Sequence, residues 1–293
     1  MPSLKEVRTR IASVNSTQQI TSAMKMVAAS KLRRAQNAVV NMRPYAKKLN
    51  EILQNVSSSV NSSEDNVYGE ERTLNKVLLI AVTSNRGLCG AFNANIIKKT
   101  RHLMEEDFSD LHQNGNVDVL TVGKKASEAF AKMGDRHVGS YDDFWDDLSF
   151  ETIYPLAEEL LSKFKKKEYD KIVVVYNMFK NAATQLVTAE QLLPVLQTEK
   201  AEGETESNFL FEPSKEEILG SLVPSILKVQ FYKTLLDSFA SEHGARMTSM
   251  QQATDNAQEM LRDLKLKYNK ARQAAITGEI LEIVGGAEAL KNA

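Results

Sequence analysis

The residues able to do chemistry are few and scattered. The single cysteine, Cys89, lies in SNRGLCGAF, between a β-branched run and a helical stretch, where a phosphate-cradling loop would sit. That segment has neither the G-x-G-x-x-G spacing of dinucleotide sites nor the Lys-Ser/Thr of a P-loop. A glycine-permitted strand-to-helix turn is therefore the preferred reading. No histidine neighbours Cys89 in sequence, so the thiol reads as a small buried side chain and not as an activated nucleophile. His102, His112, His137 and His243 show no metal-ligand spacing. The acidic run Tyr141–Asp147 (YDDFWDD) reads as a solvated loop anchored by Phe144 and Trp145. No catalytic residue, metal or cofactor is expected.

Composition narrows the class further. With 37 basic and 38 acidic side chains over 293 residues, no global charge calls for nucleic acid or an anionic membrane. One cysteine excludes an internal disulfide and fits a reducing compartment. No apolar run approaches the roughly 18 to 20 residues that a spanning helix needs. The basic start MPSLKEVRTRIASVNS superficially suggests a transit peptide. Leu4, Val7, Ile11 and Val14 already carry a helical spacing that continues in phase, so a structural helix is expected there instead.

The elements that would position any site are set by periodicity. A 3-4 alternation runs from Leu4 through Ala28, Leu32, Ala35, Val39 and Leu49 to Val60, about eight heptads and beyond the minimum for a coiled coil. It is interrupted by polar Gln18, Thr21 and Lys25, where the apolar positions shift to Ile20, Met24 and Val27. Such a shift suggests altered packing against a partner. Pro44 should kink this helix without ending it. A second seam runs from Leu222 through Ile226, Val229, Leu236, His243, Met250, Leu261 and Leu264 to Ala275, with Gly220, Pro224 and Gly244 as local weak points. His243 on that seam is expected to set register.

Between the helices the period changes. Lys76–Thr83, Val117–Val122 and Lys171–Tyr176 read as buried strands, and Thr184–Val195 reads as a fourth strand. They alternate with helical stretches near 91–108, 123–133 and 150–167, which predicts a Rossmann-like α/β domain with a mostly parallel sheet. Polar connectors at 57–72 and 197–208 divide the chain into an N-terminal coiled-coil helix (1–60), an α/β foot domain (72–213) and a C-terminal coiled-coil helix (214–293) that pairs with the first. At 1.5 Å per residue the helices would span about 85 and 105 Å, leaving roughly 20 Å of overhang. That overhang, ITGEILEIVGGAEALKNA from Ile276, is apolar and calls for a sleeve.

Three segments carry a family resemblance: RTRIASVNSTQQITSAMKMVAASKLRRAQ, TSNRGLCGAFNANI, and ASEHGARMTSMQQATDNAQEMLRDLKLKYNKARQAAITGEILEIVGGAEAL. Together they resemble the gamma subunit family of F-type ATP synthases, from one end of the chain to the other. The resemblance implies a non-catalytic rotor: an antiparallel helical shaft inside a ring of alpha and beta subunits, with a foot on the membrane c ring and an epsilon subunit as a further partner. It implies no nucleic acid, and membrane association only through the complex.

By position, the resemblance assigns contacts with the alpha/beta ring to Met24, Lys25, Lys31, Arg33, Arg34, Arg246, Gln252, Arg272, Gln273, Thr277 and Glu279. It assigns contacts with the c ring to Phe209, Phe211 and Glu212. It implies the cytoplasmic face of a bacterial inner membrane, with the matrix side of the mitochondrial inner membrane as the alternative. The paired-cysteine redox switch of chloroplast relatives cannot form with one cysteine. The competing readings are an α/β enzyme, or a structural adaptor, that dimerises through its terminal helices.

Overall fold

The computed structural model describes residues 3–57, 68–69, 72–134, 136–195 and 215–291. The polar connectors that bound the expected foot domain fall largely outside these residues. The chain forms two compact units, one of Met1–Val27 with Met247–Ala293, the other of Ala28–Arg246. Two long helices, α1 (Leu4–Ser57) and α6 (Lys215–Lys291), contribute to both units. Each runs through its proline, Pro44 and Pro224, as one helix.

In the first unit the seam positions of the two helices meet. Val7, Thr21, Met250, Ala257, Leu261 and Leu264 are buried. Thr254 Oγ1 and Thr21 Oγ1 lie 2.8 Å apart, within hydrogen-bond reach, and Thr254 Oγ1 also lies 2.8 Å from Met250 O of its own helix. The polar interruption of the seam is therefore resolved by a threonine pair, while Ile20 and Val27 point outward with more than half their surface exposed. Antiparallel register from that pair sets Leu4 opposite roughly residue 271. About 30 Å of α6 then extends past the start of α1, at 1.5 Å per residue.

The second unit holds a five-stranded sheet ordered β3-β2-β1-β4-β5, from β1 (Val77–Val82), β2 (Val117–Val122), β3 (His137–Ser140), β4 (Lys171–Phe179) and β5 (Gln185–Leu193). All neighbours are parallel except β4 and β5. The central strands are buried on both faces, which is why they read as continuous apolar runs. One face carries α2 (Phe92–His102) and α4 (Lys124–Met133), through Ile96, Ala126 and Phe130. The other carries α5 (Phe150–Lys165) and the first part of α6, through Leu160, Phe164, Leu227, Phe231 and Leu235. Leu49 of α1 packs on Ile226 and Val229 of α6.

Two departures from the sequence pattern have local causes. The stretch expected as one helix over 91–108 gives way to a π-helical turn at Leu103–Asp107 and then a short α3 (Ser109–Gln113). The edge strand β3 is four residues long and half exposed, too short to leave a periodic signature.

The junction between β2 and α4 is tightly closed. Gly123 adopts φ +104°, and a Cβ there would lie 2.1 Å from the Thr83 carbonyl oxygen. Thr83 in turn donates to Gly123 O and accepts from Ala126 N, so it caps α4. Gly123→Ala should destabilise the chain by more than about 3 kcal/mol in denaturant unfolding. Gly139→Ala, whose Cβ would meet its nearest atom at an ordinary 3.6 Å, should change stability by less than about 1 kcal/mol.

Candidate functional site

Sheets of this order bind ligands beyond the carboxyl ends of the strands, where the strand order reverses. Here that crevice lies past β1 and β4, and it is filled from within the chain. Beside it, past β2, backbone amides at the start of α4 would be further anion donors. They are already taken: Lys124 N by Asn85 Oδ1, Lys125 N by Ser84 O, and Ala126 N by Thr83 Oγ1. The loop after β1 is cinched as well. Ser84 N donates to Asn93 Oδ1, Ser84 Oγ to Arg86 O, and Asn85 Nδ2 to Asp142 O. Positive φ falls on Leu88 (63°) and Gly90 (60°). Leu88 is a bulky residue in a left-handed conformation that costs it about 1–2 kcal/mol. The surrounding bonds hold it there.

α6 seals the crevice with residues 241–246, all buried. Ser241 Oγ donates to Asn177 O of β4 at 2.9 Å. Gly244 lies so close to the β4–β5 turn that a Cβ would meet Ala182 Cα at 3.3 Å. Arg246 donates from Nε and Nη2 to Gly87 O, and from Nη2 also to Arg86 O at 3.1 Å. Its Nη1 donates to Glu242 Oε1 at 2.6 Å and faces His243 Nδ1 at 3.2 Å. A guanidinium carries only donors, so His243 Nδ1 accepts and the ring proton resides on Nε2.

Burial dominates the electrostatics of this cluster. It pushes His243 down to about 3, helped by the nearby positive charges of Arg246 and Lys31. It also raises the Glu242 carboxyl, against the opposing pull of Arg246, Lys31 and Arg86. The Cys89 thiol is raised by the same desolvation. It is buried beside Phe92 and Ala245, as expected of a small packing residue. Trp145, on the acidic loop, stacks on Phe239 at 5.7 Å, and Phe239 meets His243 edge-on at 4.4 Å.

The residues singled out by resemblance fall into separate groups. Met24 and Lys25 are half-buried on α1, level with exposed Gln252 on α6 by the Thr21–Thr254 register. Arg272, Gln273, Thr277 and Glu279 are exposed on α6 beyond the paired stretch, where Thr277 Oγ1 donates to Gln273 O. Lys31, Arg33 and Arg34 are exposed on α1 within the foot-bearing unit. Arg246 faces inward. Phe209, Phe211 and Glu212 lie outside the described residues. Ser241, Glu242 and Arg86 are not marked by heptad spacing. The available signal is the run of small residues in FASEHGARM, which lets another backbone approach the helix.

The depressed His243 favours the neutral ring in the fold, so its contribution is complete above its unfolded value near 6.5 and is lost as pH falls toward 3. Glu242, with its raised carboxyl, works in the opposite sense above its ordinary value. His243→Gln should flatten the acid limb of stability by about 1.4 kcal/mol per pH unit between roughly pH 6 and 4. Urea unfolding of the purified chain across that range reads this directly. An unchanged slope would place the proton uptake elsewhere.

Comparison with known proteins fits this architecture from end to end. The family described as ATP synthase matches residues 3–290. The ATP synthase gamma chain of Cytophaga hutchinsonii is 57% identical over 296 residues, covering 100% of both chains. That of Flavobacterium johnsoniae is 53% identical, covering 99% of each. Among solved structures, a chain of the Euglena gracilis mitochondrial ATP synthase (OSCP/F1/c-ring, rotational state 3) superposes with a TM-score of 0.70 at 24% identity, covering 98% of this chain and 94% of that one. A chain of the Tetrahymena thermophila mitochondrial ATP synthase central stalk/c-ring gives 0.61 at 26% identity, covering 80% and 99%. The chain belongs to the ATP synthase gamma chain family.

Proposed function

We infer that the chain is the central rotor shaft of a bacterial F-type ATP synthase, passing rotation between the proton-driven c ring and the catalytic alpha/beta head. It has no catalytic role of its own. Its partners are the alpha, beta and epsilon subunits and the c ring, and it sits at the cytoplasmic face of the inner membrane as a peripheral component of the complex. Among the described residues no helix is long and apolar enough to cross a membrane. The observation that carries the reading is 57% identity to a bacterial gamma chain across the full length of both.

The exposed end of α6 supports it. Ile276, Ile280, Leu281, Ile283 and Val284 are each about half exposed or more, a concentration of apolar surface that marks a binding face. Apolar contact is non-directional, so a tip of this kind suits a bearing in which it must turn. Rotation can change the affinity of a catalytic site only if the shaft makes different contacts at different angles. The proposed sources of that angular asymmetry are the charged and polar groups at Lys25, Lys31, Arg33, Arg34, Gln252, Arg272, Gln273, Thr277 and Glu279, with Met24 beside them. Phe209, Phe211 and Glu212 are proposed as the contacts of the foot with the c ring.

Purification of the tagged chain in mild detergent should recover alpha and beta subunits and an ATPase activity that the chain alone lacks. Recovery of a homodimer with its own turnover would overturn the reading in favour of an α/β enzyme, and recovery of an inert homodimer in favour of an adaptor. Arg272→Ala tests the contact assignment. Because Arg272 is exposed, the variant chain should keep its stability within about 0.5 kcal/mol, while proton pumping per ATP hydrolysed falls in membrane vesicles.

A further inference from the structure

We propose that Ser241, Gly244 and Arg246 form a torsional collar, the short stretch of α6 at which rotation of the foot is passed into the helix, with Arg246 as its positioning residue. The proposal rests on the rotor reading above and adds where within the chain torque is transferred.

The three residues grip different parts of the foot. Ser241 holds β4 through Asn177 O, Gly244 admits the β4–β5 turn at Ala182, and Arg246 holds the β1–α2 loop through the carbonyls of Arg86 and Gly87. At about 100° per residue, Arg246 stands roughly 160° around the axis from Gly244 and 140° from Ser241. The helix is therefore held from opposing sides by one compact body. Apolar packing resists separation, but it has little directional preference and permits slip. Hydrogen bonds to fixed carbonyls weaken steeply with angle and resist turning.

Arg246 suits this task because its planar fork bonds outward to the loop and back to its own helix at Glu242 and His243. A single rigid group thus ties this stretch of the helix to the loop. The gripped loop is itself pinned by Ser84, Asn85 and Asn93. Beyond Arg246 the helix continues unbroken to Lys291.

The test uses the whole complex in membrane vesicles, measuring ATP hydrolysis and ATP-driven proton uptake in the same preparation, with hydrogen exchange over residues 237–246. Arg246→Ala should lower amide protection there by about a hundredfold, as expected when a buried ion pair loses one partner. It should cut proton uptake per ATP hydrolysed several-fold. Arg246→Lys, which can restore one donor but not the fork, should fall between the variant and the parent. An unchanged ratio of uptake to hydrolysis, with or without lost protection, would make Arg246 merely structural and overturn the collar. If Arg246→Ala does not assemble, the ratio in Arg246→Lys and Ser241→Ala decides in the same way. Failure of the parent complex to pump at all would instead sink the rotor reading.

Discussion

The foot depends on a helix segment that is buried on nearly every side yet is not apolar. Across residues 226–246 of α6, Lys228, Thr234, Asp237, Ser238, Ser241, Glu242, His243 and Arg246 are buried beside Leu227, Phe231 and Leu235. A helix so enclosed is usually hydrophobic all round, because an unpaired polar group in such a place costs about 1–3 kcal/mol. Several polar groups of this stretch are answered by the surrounding elements. Gln230 donates to Glu190, Tyr232 to Leu148 O, Ser241 to Asn177 O and Arg246 to Arg86 O and Gly87 O. Each bond fixes a strand or loop against the helix at one rotational setting. Apolar burial supplies adhesion, and the polar set supplies register.

The same helix changes character along its length. Through residues 222–246 it is a core element of the foot. Through 250–264 it keeps a narrow buried stripe at Met250, Ala257, Leu261 and Leu264, the spacing of a two-helix seam. From Ile276 onward its apolar residues are exposed. One secondary structure thus presents three environments in order, each matched by composition. Large apolar residues interleaved with small and polar ones line the first, heptad apolar residues the second, and isoleucine, leucine and valine on a glycine-containing end the third. Only the second is a conventional coiled coil.

That gradation explains what sequence reading could and could not recover. Strands β1, β2 and β4 are legible because burial on both faces makes them uninterrupted β-branched runs. The α1 seam is legible because one buried stripe leaves a clean period, seen in Ala28, Leu32, Ala35 and Val39. The same period understates the 226–246 segment, since a heptad template scores one face and is blind to the others. Arg246 shows the consequence. Resemblance assigns it to the alpha/beta ring contacts, and in the fold its guanidinium is held by two carbonyls and a carboxylate, which the heptad pattern does not mark. The left-handed Leu88 was equally invisible, because local propensity assigns positive φ to the neighbouring Gly87 and Gly90.

A sheet with a ligand crevice at its switch point need not bind a ligand. The crevice exists because strand order reverses there, a consequence of topology alone. Something must satisfy the amides and carbonyls that end at it. In nucleotide-binding proteins a phosphate answers the amides at the helix N-terminus. In this chain Asn85, Ser84 and Thr83 answer the amides at the start of α4, beside the crevice, and an arginine from α6 answers the carbonyls of the loop after β1. Internal partners differ from a bound ligand in one mechanical respect, which is that they cannot dissociate. A crevice closed by covalently tethered groups is a joint, and a joint between a rigid sheet and a long helix is what a shaft requires of its base.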